Sequence, residues 1–162
     1  MPIHNGLITD PSGSFSPDGL IAVGAFFAIE VHVPPEIAEV LTQQGQPIPT
    51  PVSGFALIDT GATLTCVHER ALLDLGLNPV GTVNSGTAHG QVQQSLYPAR
   101  IVFPAQGWTV DIGSVAGVDL SGQVLNIAPS PQRIIALIGR NFLKQCVLVW
   151  NGTNGSWTIC FR

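Results

Sequence analysis

The chain has 162 residues, enough for one domain with its own core and too few for two. Six Lys and Arg face ten Asp and Glu, a net charge of −4 with no basic cluster, which excludes nucleic-acid binding through phosphates and a polybasic membrane anchor. Hydrophobic residues make up 45% and charged residues only 10%, which excludes intrinsic disorder and leaves uncharged surface that a partner subunit would cover.

Glycine (18) and proline (13) are frequent enough to make a many-turned chain, so the composition points to a compact, largely β domain. The best candidate for a membrane span, residues 19–29, stops at Glu30, short of the ~18 apolar residues that a spanning helix needs. Residues 1–10 contain no Lys or Arg, so no signal peptide is predicted and the chain is expected to be soluble and cytoplasmic. Cys66, Cys146 and Cys160 cannot all pair within one chain and are expected as reduced core thiols.

In chain order, residues 1–18 carry Pro2, Pro11, Gly13 and Pro17 among polar residues and read as a flexible N-terminal arm, with the domain proper over 19–162. The apolar, aromatic run 22–33 predicts a first strand ended by Pro34-Pro35. Pro35, the helical spacing of Ile37, Val40 and Leu41, and Gly45 then predict a short helix, and three prolines within 46–53 an exposed connector. Residues 54–59 (GFALID) give a buried-strand signal that runs directly into Thr60-Gly61-Ala62. Another strand is predicted over 63–67 and a short helix over 68–75, closed by Gly76.

Residues 82–85 and 91–103 flank Gly86-Thr87-Ala88-His89-Gly90, the pattern of a β-hairpin with a flexible tip. A further strand or hairpin is predicted over 108–118, an apolar strand over 134–138 ending at Gly139, and one or two helical turns over 140–145. The alternating runs 146–150 and 157–161 surround Asn151-Gly152-Thr153-Asn154-Gly155 and predict a closing hairpin, with Trp150 and Trp157 paired across it.

Asp59 is an ionisable residue that ends an apolar strand, and Thr60-Gly61 after it sets the carboxylate on a tight turn at the edge of the core. Burying a carboxylate costs several kcal/mol unless hydrogen bonds or a shared proton compensate. The tripeptide alone supports two readings: a turn cap, with Gly61 supplying a permissive φ, or a functional carboxylate. Far downstream, Leu137-Ile138-Gly139-Arg140-Asn141-Phe142-Leu143 repeats the apolar-apolar-Gly arrangement and opens into a short helix.

Together, ALIDTGAT, the GTAHG hairpin and ALIGRNFL, in that order and spacing, resemble the retropepsin-like aspartic proteases, the single-lobed relatives of pepsin, over residues 20–162. The resemblance implies an all-β, single-lobed acid-protease-like β-barrel with a flap hairpin and one or two short helices, assembled as a two-fold homodimer. By position, Asp59 matches the catalytic aspartate, Thr60 the threonine whose hydroxyl bonds across the subunit interface, and Gly61 the glycine whose carbonyl meets the substrate backbone. Ala62 and Thr63 continue that loop along the substrate, and Thr87, Ala88, His89 and Gly90 belong to the flap that closes over bound peptide. Ile138 lies on the strand crossing behind the catalytic loop, as a substrate neighbour, while Gly139 and Arg140 give structural support.

Such enzymes need two carboxylates about 3 Å apart that share one proton, because like charges that close cannot both ionise. With one Asp-Thr-Gly and no room for a second lobe, the partner carboxylate comes from Asp59 of another copy. The implied reaction is hydrolysis of an extended polypeptide by activated water, with no metal or cofactor. Three features depart from the family pattern. Thr63 stands where many retroviral members carry an acidic residue paired with the helix arginine, so Arg140 lacks its expected partner. The tip Thr87-Ala88-His89 is poorer in glycine than retroviral flaps, and the segment 34–52 is an insertion.

Rival chemistries find less support. Cys66 and His68 are two apart, but neither Cys-x-x-Cys nor His-x-x-x-His occurs, so a core thiol and a turn histidine are preferred over a zinc site. No serine has glycine at both −2 and +2, and no phosphate-binding glycine loop is present. Asn151-Gly152-Thr153 and Asn154-Gly155-Ser156 are formal glycosylation sequons that hairpin turn chemistry explains. His89 reads either as a solvated turn residue or as a substrate contact that makes closure pH-sensitive. The rival from a different class is a dimeric peptide-binding module on the same fold, capturing peptide by strand addition without turnover. The intact Asp59 favours the enzyme, since a pure binder gains nothing from burying two carboxylates on an axis.

Overall fold

The computed structural model describes residues 3–8, 14, 16–87, 90–127 and 130–161, with the side chain of Thr87 outside that description. β1 (Ile3–Leu7) is followed by helix α1 (Pro17–Val23), capped by Ser16, whose Oγ accepts the Gly19 amide at 2.9 Å. β2 (Phe26–His32) stops before Pro34, and Pro35 opens α2 (Pro35–Gln43) at the position where a missing N–H does no harm. β3 (Val52–Ile58) delivers Asp59, and β4 (Cys66–His68) leads into α3 (Glu69–Asp74). The hairpin of β5 (Gly81–Thr87) and β6 (Gly90–Phe103) comes next, and a 3-10 turn at Pro104–Gln106 passes the chain into β7 (Trp108–Val118). β8 (Val124–Leu125), β9 (Gln132–Ile138) and α4 (Arg140–Leu143) precede the closing hairpin of β10 (Cys146–Asn151) and β11 (Ser156–Phe161).

Six strands form a closed barrel in the order β2-β3-β9-β4-β7-β6, and β6 returns to β2 through Glu30↔Val102, Val31↔Ile101 and His32↔Arg100. The pairs β3–β9 and β4–β7 are parallel and the others antiparallel. β6 serves two purposes along its length. Residues 90–96 pair with β5 and leave the barrel as an arm. From Tyr97 onward the strand belongs to the barrel, and its alternation buries Tyr97, Ala99, Ile101 and Phe103. Phe27, Ile29 and Val31 of β2 meet them from across the core, joined by Val67, Val115 and Ile135.

A second, three-stranded sheet, β1-β11-β10, covers the barrel with Trp157 and Ile159, both buried. The Trp157 ring meets Phe27 edge-on at 5.0 Å and the His4 ring at 5.0 Å. Residues 3–7, expected in a flexible arm, pair with β11 instead, a correction with a clear cause. β11 offers a free edge, His4 adds a ring to the aromatic cluster, and Gly6 stands opposite Trp157, where a Cβ would collide with the indole.

Other expectations also need adjustment. The run 22–33 is not one strand: the Ser16 cap and Pro17 start a helix that takes residues as far as Val23, and β2 begins at Phe26. The strand expected over 63–67 is loop until Cys66, and the described residues include four short α-helices, of which α1 is the one that the sequence pattern does not predict. Trp150 and Trp157 are register partners as expected, with Trp157 buried and Trp150 half exposed. The three cysteines are free and partly buried. No helix among the described residues is long and apolar enough to cross a membrane.

Candidate active site

β3 and β9 run parallel and in register, Leu57 opposite Leu137 and Ile58 opposite Ile138, so Asp59 and Gly139 leave the barrel side by side. The Asp59 amide donates to the Ile138 carbonyl at 3.0 Å as the last rung of this ladder. β4 lies antiparallel on the other side of β9, with Cys66 opposite Leu137, which brings Thr65 next to Gly139. Three segments distant in sequence therefore meet at one end of the barrel. Gly139 has a φ of −88°, open to any residue, so space dictates its identity. A Cβ there would strike the Leu64 backbone and lie 2.7 Å from the Thr65 nitrogen.

The Asp59 carboxylate is partly buried, and its Oδ1 accepts the amides of Gly61 at 2.9 Å and Ala62 at 3.1 Å. Both turn bonds end on Oδ1, and Oδ2 takes no part in the turn. The turn-cap and functional readings of the tripeptide are thus compatible, because capping occupies one oxygen and aims the group.

Arg140, left without a partner by the sequence, has three. Its Nη1 donates to the carbonyls of Thr60 at 2.9 Å and Gly61 at 2.8 Å, and its Nη2 donates to Thr63 Oγ1 at 2.9 Å. The Thr63 hydroxyl accepts where the family pattern has an acidic side chain. Behind the loop, the amides of Arg140 and Asn141 donate to the carbonyls of Ala62 and Thr63 at 2.9 and 3.0 Å. The Asn141 side-chain oxygen accepts the amide and hydroxyl of Thr65 at 2.7 and 2.8 Å.

A cleft of about 670 Å³ opens over this loop. Asp59, Gly61, Ala62 and Thr63 form its floor, and Val83, Asn84, Ser85 and Gly86 of β5 form one wall. Ser85 Oγ donates to Gln94 Oε1 at 2.7 Å, tying the two hairpin arms together above the carboxylate. Cys66 also lines the cleft, but burial first and the Asp59 charge second push its thiol up from the ordinary range. A thiol held protonated in this way is wall rather than nucleophile. Smaller hollows of about 350 and 320 Å³, beside Trp108 and beside His4, contain no Asp or Glu. Among the described residues, no three His, Cys, Asp or Glu side chains gather as a metal site requires.

The expected residues are distributed as follows. Thr60 is exposed at the apex of the turn, and Gly139 and Arg140 lie behind the loop. Ile138 is fully buried in the barrel core and is not among the residues that line the cleft. Gly90 opens β6 opposite Thr87. Ala88, His89 and the Thr87 side chain lie outside the described residues, and so do both readings of His89. Thr65 and Asn141 carry no motif that marks them in the sequence, where the polar residue after Arg140 is the one available signal.

No family model matches the chain, and no curated protein matches it. Among solved structures, the solution structure of the simian foamy virus (mac) protease aligns with 74% of this chain and 92% of its own, at 22% identity and a TM-score of 0.42.

Proposed function

We propose that the chain is an aspartic endopeptidase whose active form is a two-fold homodimer with one Asp59 from each copy in the dyad. The observation that carries this reading is the Asp59 carboxylate, held by the Gly61 and Ala62 amides on the floor of a cleft walled by a β-hairpin. One carboxylate cannot be acid and base at once, and one chain supplies one Asp-Thr-Gly. In the dimer, the ionised member of the pair takes a proton from water while the protonated member donates to the substrate carbonyl. The tetrahedral intermediate then collapses as the dyad returns a proton to the leaving amine. The Gly61 carbonyl keeps a second lone pair beyond its Arg140 bond, and this would receive a substrate amide.

The test incubates the protein and an Asp59→Asn variant with a mixed peptide library at several pH values. The expected result is cleavage by the wild type and none by the variant, whose fold persists because the asparagine amide still offers an acceptor oxygen to the turn amides. Turnover by Asp59→Asn at the wild-type rate would overturn the reading, and binding without products in both proteins would favour a peptide-binding module. Sedimentation at micromolar concentration is expected to show the dimer. The singly protonated pair alone holds an acid and a base together, so gain or loss of one proton silences it. Activity is therefore expected to be bell-shaped with a mildly acidic maximum, and a rate unchanged from mild acid to alkali would contradict the dyad.

A further inference from the structure

We propose that Asn141 is a positioning residue for the Asp59 loop, acting purely as a hydrogen-bond acceptor toward Thr65. Its catalytic consequence rests on the aspartic-protease reading of Asp59; its structural consequence does not.

Three donors converge on the Asn141 side-chain oxygen: the Thr65 amide at 2.7 Å, the Thr65 hydroxyl at 2.8 Å and the Phe142 amide at 3.0 Å. Backbone amides can only donate, so the atom that receives them is the carbonyl oxygen and the side-chain orientation follows. The Thr65 hydroxyl donates to Asn141 and in turn accepts the Gly139 amide at 3.2 Å. Thr65 is fully buried, so water cannot replace these bonds.

The position of this knot gives it a role in aiming Asp59. The loop from Asp59 to Thr65 is fastened at its start by the bond from the Asp59 amide to Ile138 and at its end by Thr65 to Asn141. Between the two ends, the Ala62 and Thr63 carbonyls are held by the amides of Arg140 and of Asn141 itself. Arg140 grips the same loop from outside, but its side-chain bonds are exposed and water competes for them. Release of the buried end would let the turn shift and carry the Gly61 and Ala62 amides away from Asp59 Oδ1. In a dyad on a two-fold axis both carboxylates would move, so the misalignment doubles.

None of the three bonds uses the Asn141 NH₂ group. A carboxylate at this position would accept the same donors, whereas a leucine of similar volume would accept none.

The test compares Asn141→Asp, Asn141→Leu, Thr65→Ser and Thr65→Val by two readouts. The amide resonances of Gly61 and Ala62 report their bonds to Asp59, and steady-state peptide cleavage reports alignment. Asn141→Leu is expected to shift both resonances and to lower kcat by about a hundredfold with a much smaller change in KM, as loss of orientation does. Thr65→Val is expected to change both readouts in the same direction by less, because the Thr65 amide still reaches Asn141. Asn141→Asp and Thr65→Ser are expected to keep the wild-type resonances and most of the turnover. Asn141→Asp behaving like Asn141→Leu would overturn the acceptor role, and unshifted resonances in a folded Asn141→Leu or Thr65→Val would overturn the positioning role. If Asn141→Leu does not fold, the Thr65 pair decides, since Val removes one hydroxyl at nearly constant shape. A wild type that cleaves nothing would defeat the protease reading alone, and the amide resonances would still decide the role of Asn141.

Discussion

The Asp59 end of the barrel and the terminal sheet are held by opposite means. Around Asp59, backbone amides, carbonyls and the side chains of Thr63, Thr65, Arg140 and Asn141 make short directional bonds, and Gly139 is there because nothing larger fits. In the terminal sheet, Trp157 and Ile159 are buried against Phe27 and the rest of the core, and the three strands contain no Asp, Glu, Lys or Arg. Apolar burial is strong but non-directional, whereas a hydrogen bond contributes little net stability and fixes a direction. The sheet therefore supplies stability without aiming anything, and the loop network aims a carboxylate without supplying much stability.

The largest expected effect falls on the sheet. Trp157→Ala removes a buried indole from a packed aromatic cluster and is expected to cost about 3–5 kcal/mol in denaturant unfolding. A loss below about 1 kcal/mol would mean that the sheet is not a stability reservoir and that the contrast is misplaced.

Two glycines sharpen the contrast. Gly139→Ala drives a Cβ into the Leu64 backbone beside Thr65, and Gly6→Ala drives one into the Trp157 indole. Each is expected to cost about 1–3 kcal/mol by overpacking. The stability losses are alike and the functional ones are not. Gly139→Ala displaces the Asp59 loop and is expected to abolish peptide cleavage by the fraction that remains folded, while folded Gly6→Ala is expected to cleave normally. Equal activity in the two folded variants would show that the loop tolerates displacement.

The same division separates what is legible in the sequence from what is not. β3, the β5–β6 hairpin and the β10–β11 hairpin are encoded by neighbouring residues, apolar runs bounded by Gly, Pro or Asn-Gly, and Asp59 with its turn is legible for the same reason. Barrel closure by β2 on β6 and the docking of β1 on β11 are pairings between distant segments, for which no local pattern exists. Helix α1 is hidden because its apolar residues continue into those of β2, with Ser16 and Pro17 at its start and Gly24 at its end as the boundary marks. Arg140 is legible as a support, but its partners include two backbone carbonyls, a group that every residue carries. Asn141 and Thr65 are 76 residues apart, and nothing in either neighbourhood announces the other.

The smallest expected effect is a pH dependence confined to the sheet. The His4 ring packs on Phe27 at 5.1 Å and on Trp157 at 5.0 Å, and Gln106 Nε2 donates to its Nδ1 at 2.9 Å. Burial holds its pKa below the ordinary value of 6.5, and a protonated Nδ1 cannot accept the Gln106 bond. The unfolded chain therefore binds this proton more readily than the folded one, so stability rises with pH across the interval between the two values. The His4 contribution is fully present above about pH 6.5 and is lost as the pH falls through the lower folded value. Asp111, held below the ordinary carboxylate range first by its Arg100 hydrogen bond, contributes in the same direction but only under more acidic conditions. Denaturant midpoints measured from about pH 7.5 down to about pH 5 are expected to fall more steeply for the wild type than for His4→Phe, which keeps a ring on Trp157 without the titration. Parallel curves would remove His4 as a source of acid sensitivity. A steeper wild-type curve would place the loosening of the terminal sheet in the mildly acidic range where the proposed Asp59 dyad would work best, while the Asp59 loop, held by backbone amides that do not titrate, keeps its shape.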